Sequence, residues 1–419
     1  MPWIRLFSRA ILILALVPAS LCSAGELEEM RAALLSLQKQ LQQQQARIEQ
    51  LEKQVEGRTG QTLPASLPLM AESPTSPQPE TQAVVPGINT EPALATVYGR
   101  VDLFGEANWG GSKGERLAMD SGGMNGTRFG VMGGKALTPE LTAIYNFETG
   151  FYGNNGRLGQ GDAGGSRIFG RQALIGLEGR LGRLTIGRQY SPFFLEMMVF
   201  DAFDNGYGSP TNDGNVKPGP TRYDNAFIYT TPRLKGLSVT GLIALGGQTG
   251  ETERNTLGIN LDYASGPLGI GVSYQYDNHN ALFDRSSRHA FTGASYQLGR
   301  VKLMGGIAGV DVRPDSGLAT DWRSWFVGSS IDVTASGQLR LNVGEGHTRQ
   351  AVVSDRGRVF SVAWVESITR QFKAYLALAH HQNDPGAALV PSGSSAYSYY
   401  SVNPGDNNTG LAIGVQYSF

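Results

Sequence analysis

Residues with chemistry to offer are thinly spread along this 419-residue chain. The five histidines are His279, His289, His347, His380 and His381. His380 and His381 together resemble a metal pair, or half of a proteolytic dyad with Asp384. Adjacent strand residues point to opposite faces, however, so the two cannot serve one site without a bulge. Asn212-Asp213-Gly214-Asn215 has the residue types of a calcium turn, but also those of an ordinary one. The sequence holds no nucleophile elbow, phosphate loop or metal-ligand spacing. No catalytic residue, metal or cofactor is therefore expected. The richest composition lies at 191–221. Pro192, Phe193, Phe194, Leu195, Met197, Met198, Val199 and Phe200 are too apolar for an exposed connection and need a wall to pack on. Among them sit Glu196, Asp201, Asp204 and Asp213, with Lys217 as a late cation. Arg188 and Arg222 flank the stretch. They either face the same space as the acids or anchor the ends through carboxylates such as Asp224.

The elements that must position these residues fall into four parts. Residues 1–24 read as a signal peptide, with basic Arg5 and Arg9, an apolar run from Ala10 to Val17, and Cys22-Ser23-Ala24 before a cut ahead of Gly25. A lipoprotein signal using Cys22, the only cysteine, is the rival, and Leu21 is the wrong size for it. Residues 25–57 carry Leu27, Met30, Leu34, Leu37, Leu41, Ile48, Leu51 and Val55 at spacings of three and four, a coiled-coil pattern that predicts self-association. A helix lying on another envelope component is the alternative. Residues 58–95 are rich in Pro, Ser, Thr and Gln and read as a solvated linker. The fourth part, 96–419, alternates.

Its last stretch shows the pattern most cleanly. Leu411, Ile413, Val415, Tyr417 and Phe419 alternate with Gly410, Ala412, Gly414, Gln416 and Ser418, one face apolar and the other small or polar. About sixteen such segments of about ten residues are legible, the length of a tilted transmembrane strand. Tight connections alternate with long ones, the asymmetry of an outer-membrane barrel. Charges on the lipid face would cost about 2–4 kcal/mol each at the midplane, so Arg100 and Glu148 belong in the lumen. The fold class is all-β, an antiparallel transmembrane barrel preceded by a short periplasmic coiled-coil helix. No run of about 18 apolar residues follows residue 25, so no membrane helix is expected there. A formal net charge of −1 gives no argument for nucleic acid.

The segments TVYGRVDLFGEANWG (96–110), TRFGVMGGKAL (127–137), AIYNFETGF (143–151), RIFGRQALIGLEGRLGRLTIGRQYSPF (167–193), RYDNAFIYTTP (222–232) and the terminal GVQYSF occur in this order. Through them the chain resembles the general trimeric porins of Gram-negative bacteria, of the neisserial and burkholderial kind. The coiled coil and linker depart from the commoner members. The resemblance implies an outer-membrane homotrimer whose third loop, about 191–221, folds into the lumen as a constriction. Glu196, Asp201 and Asp204 would then be its acidic side, and Arg100, Arg128, Arg188 and Arg222 the basic wall, a transverse field that sets ion preference. The resemblance also makes Phe419 the aromatic terminus read by the barrel-assembly machinery. The function expected is general diffusion of small hydrophilic solutes and ions, without enzymatic turnover or cofactor. The alternatives are a substrate-selective channel, for phosphate for example, an outer-membrane enzyme, or a tethering protein. Acids and arginines together leave anion or cation preference open.

Overall fold

The computed structural model describes residues 95–160, 167–214, 219–246, 255–280, 285–313, 320–349, 353–396 and 400–419. The expected signal peptide, coiled coil and linker, apart from Ala95, lie outside these residues, as does Lys217. Alternating sequence becomes strand from Thr96 onward. The first strands are β1 (Thr96–Trp109), β2 (Arg116–Ser121), β3 (Arg128–Thr138), β4 (Leu141–Gly150), β5 (Gln172–Gly179) and β6 (Gly182–Tyr190). A short helix, α1 (Pro192–Val199), precedes β7 (Arg222–Thr230), β8 (Leu237–Ala244), β9 (Thr256–Ser265), β10 (Leu268–Asn280) and β11 (Arg285–Leu298). The set ends with β12 (Val301–Arg313), β13 (Thr320–Asp332), β14 (Gly337–Thr348), β15 (Gly357–Ser367), β16 (Phe372–Asn383) and β17 (Asn408–Ser418).

Each strand pairs antiparallel with its neighbours, and β1 pairs with β17, so the sheet closes. β2 and β3 both pair with β1, β2 along Leu103–Asn108 and β3 along Thr96–Arg100. They are two halves of one wall, which makes the barrel sixteen-stranded. Residues 116–121 thus extend the second wall. Between the halves, residues 122–127 leave the ladder. The backbone N–H groups of Gly123, Met124 and Asn125 donate to the buried Asp102 carboxylate, as do Tyr375 Oη at 2.7 Å and Gln416 Nε2 at 3.1 Å. These donors satisfy a charge that would otherwise be costly inside the wall.

The two faces sort as the alternation requires. On β17, Ala412 is 0% exposed and Ile413 is 61% exposed, small to the lumen and large to the lipid. At the seam Arg100 sits opposite Ser418, its Nε donating to Ser418 Oγ at 3.1 Å. Phe419 adds a further rung by exchanging backbone hydrogen bonds with Gly99.

Candidate pore constriction

The connection after β6 turns inward because its composition allows nothing else. Ser191 caps α1, its Oγ accepting from Phe194 N, and Pro192 occupies the first turn, where its missing N–H costs nothing. The apolar run then finds its wall. Phe193 packs edge-on against His289 and Phe291, and Phe200 meets Phe291, which stacks on Phe326 at 6.2 Å. The strands beneath are notched for this. A Cβ on Gly293 would lie 2.5 Å from the Phe200 ring, and one on Gly344 would lie 2.6 Å from Pro210. Small inward positions let the loop lie flat rather than block the lumen.

Beyond α1 the segment is pinned strand by strand. Asn260 on β9 donates to Pro192 O at 2.6 Å. Asn342 on β14 donates to Asp201 at 2.9 Å, and Arg340 donates to Asp204 at 2.9 Å. Ser361 on β15 donates to Gly208 O, and Tyr207 Oη donates to Asn108 on β1 at 3.2 Å. Asp213 is hydrogen-bonded to His381 on β16 at 3.0 Å and accepts from Ser392 N.

These contacts separate the three loop acids expected to face water. Asp201 is 2% exposed and accepts from Phe203 N, Asn205 N, Ser209, Thr211 and Asn342. Its five donors make it the knot that folds the loop, not a pore charge. Glu196 is 7% exposed against Gly271 and Phe200. Burial, with the nearby Asp262 charge, pushes its carboxyl up to about 8, so it is mostly neutral at pH 7. Only Asp204, 37% exposed, reaches water, and Arg340 partly neutralises it.

The basic residues separate too. Arg188 is not on the lumen wall. It continues the outward series of Leu184 and Ile186 along β6, and on the outer face it donates to Gly170 O and pairs with Asp224 at 2.8 Å, beside Arg167. It anchors the loop end there, one of the two roles open to it in the sequence. Arg100 and Arg128 are cross-strand neighbours inside the barrel. Arg128 lies 3.4 Å from Glu148, which also takes Arg171 at 2.6 Å and Tyr98 Oη at 2.8 Å. Arg222 lies 4.0 Å above the Tyr190 ring, and both Arg171 and Arg222 donate to the Tyr190 hydroxyl. Tyr190 in turn stacks on Phe194 of the inserted helix. Four guanidiniums thus lie along the arc from β1 to β7, Arg128 and Arg171 on Glu148, Arg100 beside Arg128, and Arg222 meeting Arg171 at the Tyr190 hydroxyl. Arg171 and Arg340 escaped the sequence reading. Arg171 sits inside a quoted motif but just before its strand, where alternation gives no facing.

The histidines make no catalytic grouping among the described residues. Ser287 and Asp277 both approach the same nitrogen of the buried His289, Nε2, at 2.9 and 3.2 Å. A relay needs the acid on one ring nitrogen and the hydroxyl on the other. His380 bonds Thr409 and His381 bonds Asp213, on opposite faces, while Asp384 takes Ser354.

Residues 65–419 match the family model described as Gram-negative porin. The chain is 31% identical over 208 residues to an outer membrane porin protein of Bordetella pertussis, covering 45% of this chain and 53% of that protein. It thus spans about half of that relative's length. Identity to the outer membrane porin protein 32 of Delftia acidovorans is 24% over 339 residues, covering 77% of this chain and 93% of that protein. Among solved structures, the anion-selective porin from Comamonas acidovorans superposes with a TM-score of 0.70 at 22% identity, over 78% of this chain and all of that one. The OmpT barrel of Vibrio cholerae gives 0.56 at 12% identity, over 78% of this chain and 97% of that one.

Proposed function

The chain belongs to the Gram-negative porin family and forms a passive diffusion channel of the outer membrane, and we propose that this channel favours small hydrophilic anions over cations. One observation carries the reading: Arg100, Arg128, Arg171 and Arg222 gather on one arc of the wall, where Glu148 takes Arg128 and Arg171, while Glu196 and Asp201 are withdrawn from water. In a narrow, low-dielectric passage fixed guanidiniums raise the local concentration of anions and exclude cations. The structural relative from Comamonas acidovorans is itself described as anion-selective, in keeping with this polarity. Selection by charge does not require a dedicated binding site, so transport remains general rather than phosphate-specific. The channel performs no chemical turnover, uses no cofactor and needs no nucleic-acid partner.

The assembly in this proposal is a homotrimer. A relative from Vibrio cholerae is described in a trimer form, and the heptad pattern of 25–57 favours self-association. The barrel-assembly machinery would read Phe419.

The test is a reversal potential across a planar bilayer with a salt gradient. Replacing Arg100 and Arg128 together by Gln should move it toward cation selectivity. The shift should be largest below 0.1 M salt, where the screening length exceeds about 10 Å. An unchanged reversal potential, or a wild type that prefers cations, overturns the proposal.

A further inference from the structure

On the outer face of the barrel, away from the lumen, two cross-strand rows border a groove of about 720 Å³. One row runs Tyr229, Gly241, Ile259 and Tyr274 across β7 to β10. The next runs Ile243, Leu257, Tyr276 and Arg288 across β8 to β11. The depression exists because Gly241 sits between Tyr229 and Ile259, and a Cβ added there would meet nothing within 4 Å. Its walls are large and exposed, Tyr229 at 44% and Ile259 at 48%. An apolar trough in the lipid-facing band forfeits dispersion contacts unless hydrocarbon lies in it.

One end of the trough is charged. Arg288 is exposed close to the connection at 281–284, the long-loop rim, with Tyr276 directly opposite. Its neighbour on the other side, Asp311, is engaged by Arg323 at 2.8 Å. Several other outer-face arginines hold carboxylates: Arg188 and Arg167 hold Asp224, and Arg358 holds Glu345, whereas Arg313 at the end of β12 stands away from the trough. Arg288 has no such carboxylate among the described residues.

We infer that this groove seats a membrane lipid with a net anionic phosphate headgroup, an acyl chain lying over Gly241 and the headgroup meeting the Arg288 guanidinium at the long-loop rim. Both halves of the site match one amphipathic molecule. A trough for a chain runs toward the membrane interior, and an arginine stands at the depth of the headgroups, where its fork suits phosphate oxygens.

The full-length protein, exchanged into an equal mixture of phosphatidylglycerol and phosphatidylcholine, tests this by native mass spectrometry of retained lipid. The wild type should retain phosphatidylglycerol about fivefold over phosphatidylcholine, the preference expected of one arginine near an anionic headgroup. Arg288→Gln should bring that ratio close to unity with total lipid unchanged. Gly241→Leu, which fills the trough, should reduce retention of both lipids. Neither residue faces the lumen, so wild-type single-channel conductance certifies that each variant is folded. Equal retention of the two lipids by the wild type, or a ratio that survives Arg288→Gln, overturns the headgroup assignment. Undiminished retention by Gly241→Leu overturns the seat. A change in subunit number with Gly241→Leu would give the groove to a second copy of the chain and overturn the proposal outright.

Discussion

Glu196→Gln isolates the loop carboxyl that the fold keeps most nearly neutral. In the folded protein Glu196 is 7% exposed, and its one hydrogen bond, from Asn260 Nδ2, is long at 3.5 Å. Burial first, and the Asp262 charge second, push its carboxyl up from 4.5 to about 8. The unfolded chain therefore releases this proton near the ordinary value, while the folded chain holds it until about pH 8. The stabilisation is fully present below pH 4.5, falls as pH rises through the window, and is gone above about 8. At 1.4 kcal/mol per pH unit of difference, the whole window is worth on the order of 5 kcal/mol. That figure is an upper bound, because α1 can lift from β9 and β10 and hydrate the carboxylate instead. Gln keeps the shape and removes the proton. The assay is the temperature of barrel loss in detergent at pH 5, 7 and 9, with single-channel recordings at each pH. The wild type should lose stability, or show more frequent closures, between pH 7 and 9, and Glu196→Gln should not. At pH 7 the variant should leave the reversal potential unchanged, since the carboxyl it replaces is already mostly neutral. Parallel pH profiles for the two proteins would refute the burial argument.

Three further perturbations separate the loop's parts. Asp204→Asn removes the one part-exposed loop acid among the three and deprives the buried Arg340 of its 2.9 Å charge partner; reversal potentials should move further toward anions, while stability falls by about 1–3 kcal/mol, the cost of a buried donor losing its charged acceptor. Gly293→Leu drives a side chain into the Phe200 ring; overpacking of this kind costs about 1–3 kcal/mol, and the displaced loop should lower single-channel conductance. Gly99→Val places a side chain where the Phe419 ring lies over the seam; the yield of folded, heat-resistant barrel should fall, while molecules that do insert conduct normally, and an undiminished yield would count against a role for this contact.

The strands were legible because a barrel wall has one constraint, lipid on one face and water on the other, and a two-residue period states it directly. β17 displays it without a break, and β4 and β15 nearly so. The second wall is harder to see, because residues 122–127 interrupt its period. Gly122 and Gly123 look like loop residues in sequence, and nothing local shows that Asp102 is the anchor they fold around. Arg188 is the opposite case. Leu184 and Ile186 face outward, and the same two-residue period carries Arg188 outward to Asp224; the family resemblance, not the alternation, assigned it to the pore wall.

The loop acids were the harder problem, and the reason is physical. A sequence shows that Glu196, Asp201 and Asp204 are acidic and close together, but charge in a pore depends on which of them the fold pays to bury. That cost is carried by residues more than sixty positions away: Asn260, Gly271, Arg340 and Asn342 on the wall. The wall glycines are the connecting evidence. In a strand a glycine forgoes packing, and on an inward face its use is to admit another backbone. Gly271, Gly293, Gly328 and Gly344 all face loop atoms. Together they record in the wall the path of a segment whose own sequence gives only its appetite for a surface. Once that path is set, the withdrawn acids and the guanidiniums around Glu148 follow from the same packing. The proposed polarity of the channel therefore rests on how the loop is seated rather than on its net charge.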